Sequence, residues 1–279
     1  MMHGRRGIFV TIIVVMLFTS VVLYSYELTK VYQERRYIYE HSQYGSRLSF
    51  MENMVSVNMQ ELYGIRYGSR ITQNYTYHSF NSSKVSGLSS RFSEYYYFLN
   101  NSYIPLVHSN ISISADTSKA GIHCDDGILV SKNYSSNSII VYTNSTPLSN
   151  STIYVYVDSK LVNSTPWGSS PGSPDTYIYL NVKSRSGTDV DAVYFLDKDW
   201  TNVYVLNYTD GVVYVRFGVI GIGSEGISVE GLPVSTANIT VSVPSQYSRT
   251  SACYFTGSNM TYSQQVAGAY GEIPAMPIS

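Results

Sequence analysis

The stretch IFVTIIVVMLFTSVVLYSY, residues 8–26, decides how the rest of the chain is read. Over its nineteen positions it holds no charge, no Gly and no Pro. At a helical rise of ~1.5 Å per residue it measures about 29 Å, enough to cross a hydrocarbon core of roughly 30 Å. Thr11, Thr19 and Ser20 can return their hydroxyls to helix carbonyls, so they do not oppose spanning. Tyr24 and Tyr26 fall where an interfacial aromatic belt lies. Arg5 and Arg6 precede the segment and Glu27 follows it, so the positive-inside rule puts the N-terminus in the cytoplasm and the bulk of the chain outside the cell membrane. A cleaved secretory signal has a shorter apolar core of about 7–15 residues that ends in small residues. This run continues through Val21, Val22 and Leu23 with no A-x-A-like site, which favours a retained anchor.

Composition agrees with an exterior location. The 279 residues carry a net charge of −1, and only 13% are charged, against roughly 25% in an average soluble domain. Polarity comes from Ser, Thr, Asn and 28 Tyr. Such a surface is unlike that of a cytosolic enzyme, and it lacks the basic excess that a nucleic-acid binder needs. Past Glu27 lie Asn-x-Ser/Thr sequons at Asn74, Asn81, Asn100, Asn110, Asn133, Asn144, Asn150, Asn163, Asn207, Asn238 and Asn259. These are candidate N-glycosylation acceptors in an exported chain.

After the anchor the chain divides by periodicity. Residues 1–7 form a short cytoplasmic N-terminus or leader, and residues 27–67 read as an extracytoplasmic helical stalk. Within the stalk Leu48, Met51, Val55, Leu62 and Ile65 fall at spacings of 3, 4, 7 and 3, an amphipathic stripe with coiled-coil-like phasing and Asn58 on its seam. Gly64 and Gly68 mark its end. Residues 68–110 read as a Ser-rich linker with a short helix over 84–99, where Val85, Leu88, Phe92, Tyr95 and Leu99 repeat at 3 and 4. From residue 111 the period becomes two. Ten segments rich in Val, Ile, Tyr and Thr are expected to be strands: 111–114, 138–143, 152–157, 176–182, 192–196, 203–208, 212–217, 227–230, 238–243 and 252–255. Asp210-Gly211 is a hairpin cue. The expected fold class is α+β, a long N-terminal transmembrane and stalk helix followed by an antiparallel β-sandwich over 111–265. Alternation of Val with Tyr, as in TIYVYV, puts Val in the core and Tyr on the other face. A flexible tail is expected over 266–279, and no second membrane segment or lipid-anchor signal follows.

At the N-terminus, Arg5-Arg6-Gly7 followed directly by Ile8-Phe9-Val10-Thr11 resembles the processing site of archaeal type IV pilin-like precursors, which carry a class III signal peptide. The resemblance covers about residues 5–66. It implies cleavage between Gly7 and Ile8, a hydrophobic helix at the mature N-terminus, and association with other pilin-like subunits or copies of itself. Many members of that family carry a Glu five residues past the cut, used in filament assembly; here that position is Ile12, and some members also lack the Glu.

Other constellations carry little chemistry. Gly221-Ile222-Gly223-Ser224-Glu225-Gly226 fits G-x-G-x-x-G by letter, but the residues after it read as a strand, whereas a dinucleotide site opens a helix. His123-Cys124-Asp125-Asp126 has ligand-type residues without a second cluster to complete a zinc site. Asp189, Asp191, Asp197 and Asp199 lack the Gly and terminal Glu of a calcium loop. Cys124 and Cys253 either pair as a disulfide or remain two buried thiols. No catalytic, metal-binding or cofactor-binding residue is expected, and the chain is not expected to be an enzyme. The expected partner is the lipid bilayer, with no nucleic acid. The expected role is structural, filament-forming or adhesive; the alternative is a monomeric, membrane-tethered binding or sensor module.

Overall fold

The computed structural model describes residues 3–103, 109–144, 147–168, 175–220, 224–246, 252–256, 258–264, 269–273 and 276–278. The chain begins with one uninterrupted helix, α1 (His3–Tyr63). No Pro occurs before Pro105, so nothing in the sequence removes a backbone donor along this length. Within α1, Val14–Tyr39 is long and apolar enough to cross a membrane, and all of its side chains are exposed. The Thr19 and Ser20 hydroxyls donate to the carbonyls of Val15 and Met16, each at 2.8 Å, so these polar groups are satisfied within the helix. The chain separates into two compact units, Met1–Glu52 and Asn53–Ser279.

The second unit is mostly β, and the whole chain is α+β. After α1 come β1 (Ile65–Ile71), β2 (Tyr75–Ser83), α2 (Leu88–Phe98) and a π-helical turn at Leu99–Tyr103. There follow β3 (Ser109–Ala115), β4 (Lys119–Cys124), β5 (Ile128–Asn133), β6 (Ser138–Thr143), β7 (Ser151–Val157) and β8 (Leu161–Thr165). The run continues with β9 (Thr176–Ser184), β10 (Gly187–Leu196), β11 (Asn202–Tyr208), β12 (Gly211–Val219), β13 (Glu225–Glu230) and β14 (Val234–Pro244). Last are β15 (Cys253–Thr256), β16 (Ser258–Gln264), β17 (Ala269–Ile273) and β18 (Met276–Ile278). One sheet has the order β1-β2-β14-β7-β9-β10 and a larger one β18-β15-β4-β5-β6-β13-β12-β11-β8; β17-β16-β3 form a third. The core comes from inward positions of alternating strands, for example Ile153, Val155 and Val157 of β7, Ile178, Leu180 and Val182 of β9, and Val213, Val215 and Phe217 of β12.

The end of α1 belongs to this unit. Val55, Ser56, Met59, Gln60 and Tyr63 are buried at helical spacing, and the Tyr63 ring meets Phe255 at 5.1 Å and Tyr134 at 5.9 Å. Burial of Val55, Met59 and Tyr63 contributes roughly 1.5–3 kcal/mol per side chain. Gly64 ends the helix at φ 61°, where a Cβ would lie 2.5 Å from Val85 Cγ2 and 2.8 Å from the Ser83 carbonyl oxygen. Only Gly accepts both the left-handed conformation and the space. The orphan carbonyls meet a buried cation. Lys132 Nζ, on β5, donates to the carbonyls of Tyr63 and Gly64 at 3.2 Å each and also to that of Ser83. The Tyr134 hydroxyl donates to the Tyr63 carbonyl at 2.8 Å, and its ring lies 5.1 Å from the ammonium. Burial pulls the Lys132 pKa down to about 8, while three carbonyls and the negative end of the helix keep the ammonium charged near neutral pH.

Several expectations are corrected. The stalk was expected to run to residue 67, but Gly64 stops α1, and Ile65, expected on the helical stripe, opens β1 as a buried strand residue. The buried face follows Val55, Met59 and Tyr63, with Leu62 only half-buried; the side chains of Leu48 and Met51 lie outside the described residues. Asn58 donates to the Tyr95 hydroxyl of α2 at 3.4 Å, so its partner is within the chain. The expected linker 68–110 holds most of the β1–β2 hairpin, and the helix expected over 84–99 starts at Leu88, after Gly87 at φ 65°. The tail expected to be flexible over 266–279 contains β17 and β18, which pair with β16 and β15. The strands are not all antiparallel: β7 and β9 pair in parallel, because β8 leaves for the larger sheet between them. The hairpin at Asp210-Gly211 is present, its turn at Thr209-Asp210.

Val55→Asp puts an unpaired carboxylate on the buried helix face and is expected to unfold the Asn53–Ser279 unit. Met59→Ala is expected to cost about 2–5 kcal/mol. Urea unfolding read by Trp fluorescence measures both, and wild-type stability in Val55→Asp would show that the face is not buried.

Lys132 and its tyrosines predict the pH dependence. Between pH 8 and about 10.5 the unfolded chain holds more protons at this lysine than the folded chain, so stability rises with pH. Tyr63 and Tyr134 act the other way. Burial raises both phenols above their ordinary value, so stability falls once the unfolded tyrosines ionise above about pH 10. Stability is therefore expected to peak near pH 10, and Lys132→Met is expected to remove a rise of up to about 3 kcal/mol. Urea midpoints across this range decide it; a wild-type profile flat from about pH 8 to 10 refutes the assignment.

Candidate functional site

The outer face of β7, β9 and β10 collects aromatic rings. On β7 the alternation TIYVYV buries Ile153, Val155 and Val157 and turns Tyr154 and Tyr156 outward. On β9 the outward positions are Tyr177 and Tyr179, and on β10 Asp191, Val193 and Phe195. Tyr154, Tyr156, Tyr177, Val193 and Phe195 are between 42% and 57% exposed, too much for core residues. Register fixes the pattern. Tyr177 is opposite Phe195, with ring centroids 4.0 Å apart, and Tyr179 is opposite Val193. Tyr154 and Tyr179 meet edge to face at 5.6 Å. The Tyr179 hydroxyl donates to Asp191 Oδ1 at 2.6 Å and accepts from Asn181 Nδ2 at 3.3 Å. That bond raises the Tyr179 phenol pKa and lowers that of the Asp191 carboxyl. The face holds its rings in fixed orientation. It offers flat apolar surface beside hydroxyls, which suits stacking against a ring with apolar C–H faces.

The same face continues on β14 and β2 as hydroxyls and amides. Asn238 of β14 lies opposite Tyr154 on one side and Asn81 of β2 on the other. Ser79 donates to Asn238 Oδ1 at 3.0 Å, and Thr240 donates to Ser79 at 3.2 Å. Two sequon asparagines thus become neighbours, and so do Asn163 of β8 and Asn207 of β11, where Asn207 Nδ2 donates to Asn163 Oδ1 at 2.6 Å. Of the other sequons, Asn74, Asn144 and Asn150 are exposed and Asn100 is half-buried. Asn133 Oδ1 accepts from the amides of Ser135 and Ser136. The side chains of Asn110, Asn259 and Ile8 lie outside the described residues.

A second cluster is sealed. Cys124 and Cys253 form a disulfide that joins opposed positions on β4 and β15. His78 of β2, fully buried, approaches both sulfurs, and its Nε2 lies 2.8 Å from Asp126 Oδ2. Its Nδ1 is 3.0 Å from the Tyr67 hydroxyl. With both sulfurs in the disulfide, the group offers a metal no thiolate. It reads as a polar tie between β2 and the β4–β5 turn. Asp125 and Asp126 sit in or beside that turn, while His123 is exposed. Of the Asp189–Asp199 set, Asp189 accepts from Ser184 and Tyr208, Asp191 from Tyr179, and Asp197 from the amide of Asp199. Residues 221–223 lie outside the described residues, and β13 follows them where a dinucleotide site requires a helix.

Comparison with protein-family profiles, with characterised proteins and with solved structures gives no match for this chain.

Replacing both cysteines by Ala reopens a loop with a sequence separation of 129. The expected loss is about 2–5 kcal/mol, read from urea unfolding without reductant. An unchanged midpoint would show that the disulfide is absent from the purified protein.

Proposed function

We propose that this chain is a single-pass cell-surface protein of the type IV pilin-like kind, with a structural, filament-forming or adhesive role. Residues 8–26 anchor it, its N-terminus faces the cytoplasm, and a glycosylated β-sandwich built from the two large sheets faces outward. The observation that carries this reading is the continuity of α1. α1 continues from the apolar span to Tyr63, with Val55, Met59 and Tyr63 buried in the β unit and Lys132 donating to the carbonyls of Tyr63 and Gly64. The mechanism is association: apolar helices pack on one another through close van der Waals contact in the bilayer. The resemblance of Arg5-Arg6-Gly7 followed by Ile8 to a leader cleavage site supports the same reading. Ile12 at the position of the assembly Glu favours the second one, a monomeric tethered module that binds or senses at the surface.

The two readings part at the mature N-terminus. The pilin-like reading expects mass spectrometry of the protein purified from its own membranes to find Ile8 as the first residue. A chain that starts at Met1 or Met2 overturns it and leaves the tether.

A further inference from the structure

We propose that Asn238 carries an N-linked glycan whose first sugar lies on the ring of Tyr154, so that the chain's own carbohydrate covers the aromatic sheet face. The inference rests on the glycoprotein part of the proposed function and assigns one site and one contact within it.

Three observations lead to it. First, Asn238 and Tyr154 are register partners on β14 and β7, and both point to the outer face. Directly opposed residues have Cβ atoms about 4.5–5.5 Å apart, so a sugar on the amide begins beside the ring. Second, the amide is oriented for modification. Ser79, itself held by Thr240, donates to Oδ1 and leaves Nδ2 without an acceptor among the described residues. Asn207 is the contrast, since its Nδ2 is bonded to Asn163. Third, the Tyr154 ring is exposed yet fixed edge to face against Tyr179, so it offers a stationary surface rather than a mobile side chain. A pyranose presents C–H groups on its faces and hydroxyls at its rim. That pattern matches a flat ring beside the Thr hydroxyls of β14, with the Ser hydroxyl of β2 one strand further on.

The modification is a displacement at the anomeric carbon of a lipid-linked sugar phosphate. The bond from Nδ2 to the anomeric carbon forms, and the bond from that carbon to the phosphate oxygen breaks. The lipid phosphate departs with the electron pair, and the amide proton passes to a base of the transferring enzyme. Nothing is oxidised or reduced.

The test uses the full chain purified from its native membranes. Glycopeptide mass spectrometry is expected to find a sugar on the peptide that holds Asn238. Tyr154→Ala is then expected to lower the melting temperature by about 2–4 °C in the glycosylated protein, and by much less in an Asn238→Gln background. Tyr154→Phe, which keeps the ring, is expected to melt like wild type. Equal shifts in the two backgrounds overturn the contact. A bare Asn238 with sugars on other sequons overturns this inference alone, whereas eleven bare sequons overturn the glycoprotein reading with it.

Discussion

The α1 terminus ends on a buried ammonium. A helix that finishes inside a protein leaves its last carbonyls without partners, and burying them unpaired is costly. Lys132 answers this with one side chain that reaches the carbonyls of Tyr63, Gly64 and Ser83, while Tyr134 covers the same Tyr63 oxygen. The lysine is itself expensive to bury, and three carbonyls with an aromatic face are what make its charge tolerable. The consequence reaches past energy. The three acceptors come from the end of α1, the turn after it and the end of β2, so Lys132 ties the last turn of α1 and the β1–β2 hairpin to β5 of the larger sheet. Gly64 must stay Gly for the carbonyls to converge at all, because its left-handed turn aims them at one point.

This explains which parts of the fold the sequence made legible. The apolar run, the Val-Tyr strands and the Asp210-Gly211 hairpin could be read because each carries its own period or turn residue. The β1–β2 hairpin could not. The inward positions of β2 are Thr76, His78, Phe80 and Ser82, mostly polar, so no apolar period of two marks the strand. His78 is accommodated there because its ring nitrogens lie 3.0 Å from the Tyr67 hydroxyl and 2.8 Å from Asp126 Oδ2. Lys132 is a subtler case. In ILVSKN it occupies the third inward position after Ile128 and Val130, and a lysine in register with two core residues is a signal that alternation alone could have raised.

The candidate face was half legible. TIYVYV announces a strand with tyrosines on one side, and the sequons were plain. What no single-chain pattern gives is which strands become neighbours. Tyr154 and Asn238 lie far apart in sequence and meet only because β14 inserts between β2 and β7. The parallel pairing of β7 with β9 likewise brings Tyr154 against Tyr179. Pairings of this kind depend on the whole sheet order, which turns on where β8 departs.

With so few charged residues, where they sit carries weight. The edge strands of the six-stranded sheet hold several. On β1, Arg66 and Arg70 face outward, and on β10 Asp189 is the unpaired residue of a register shift between Thr188 and Val190, with Asp191 just after it. Charges and bulges at an edge oppose the addition of another strand. At the end of the larger sheet, β8 exposes Asn163, a sequon. A chain rich in Val, Ile and Tyr would otherwise propagate its sheets into neighbours. These edges confine the sheets to their own strands, so the aromatic face of β7, β9 and β10 stays an outer surface of the unit rather than a junction between sheets.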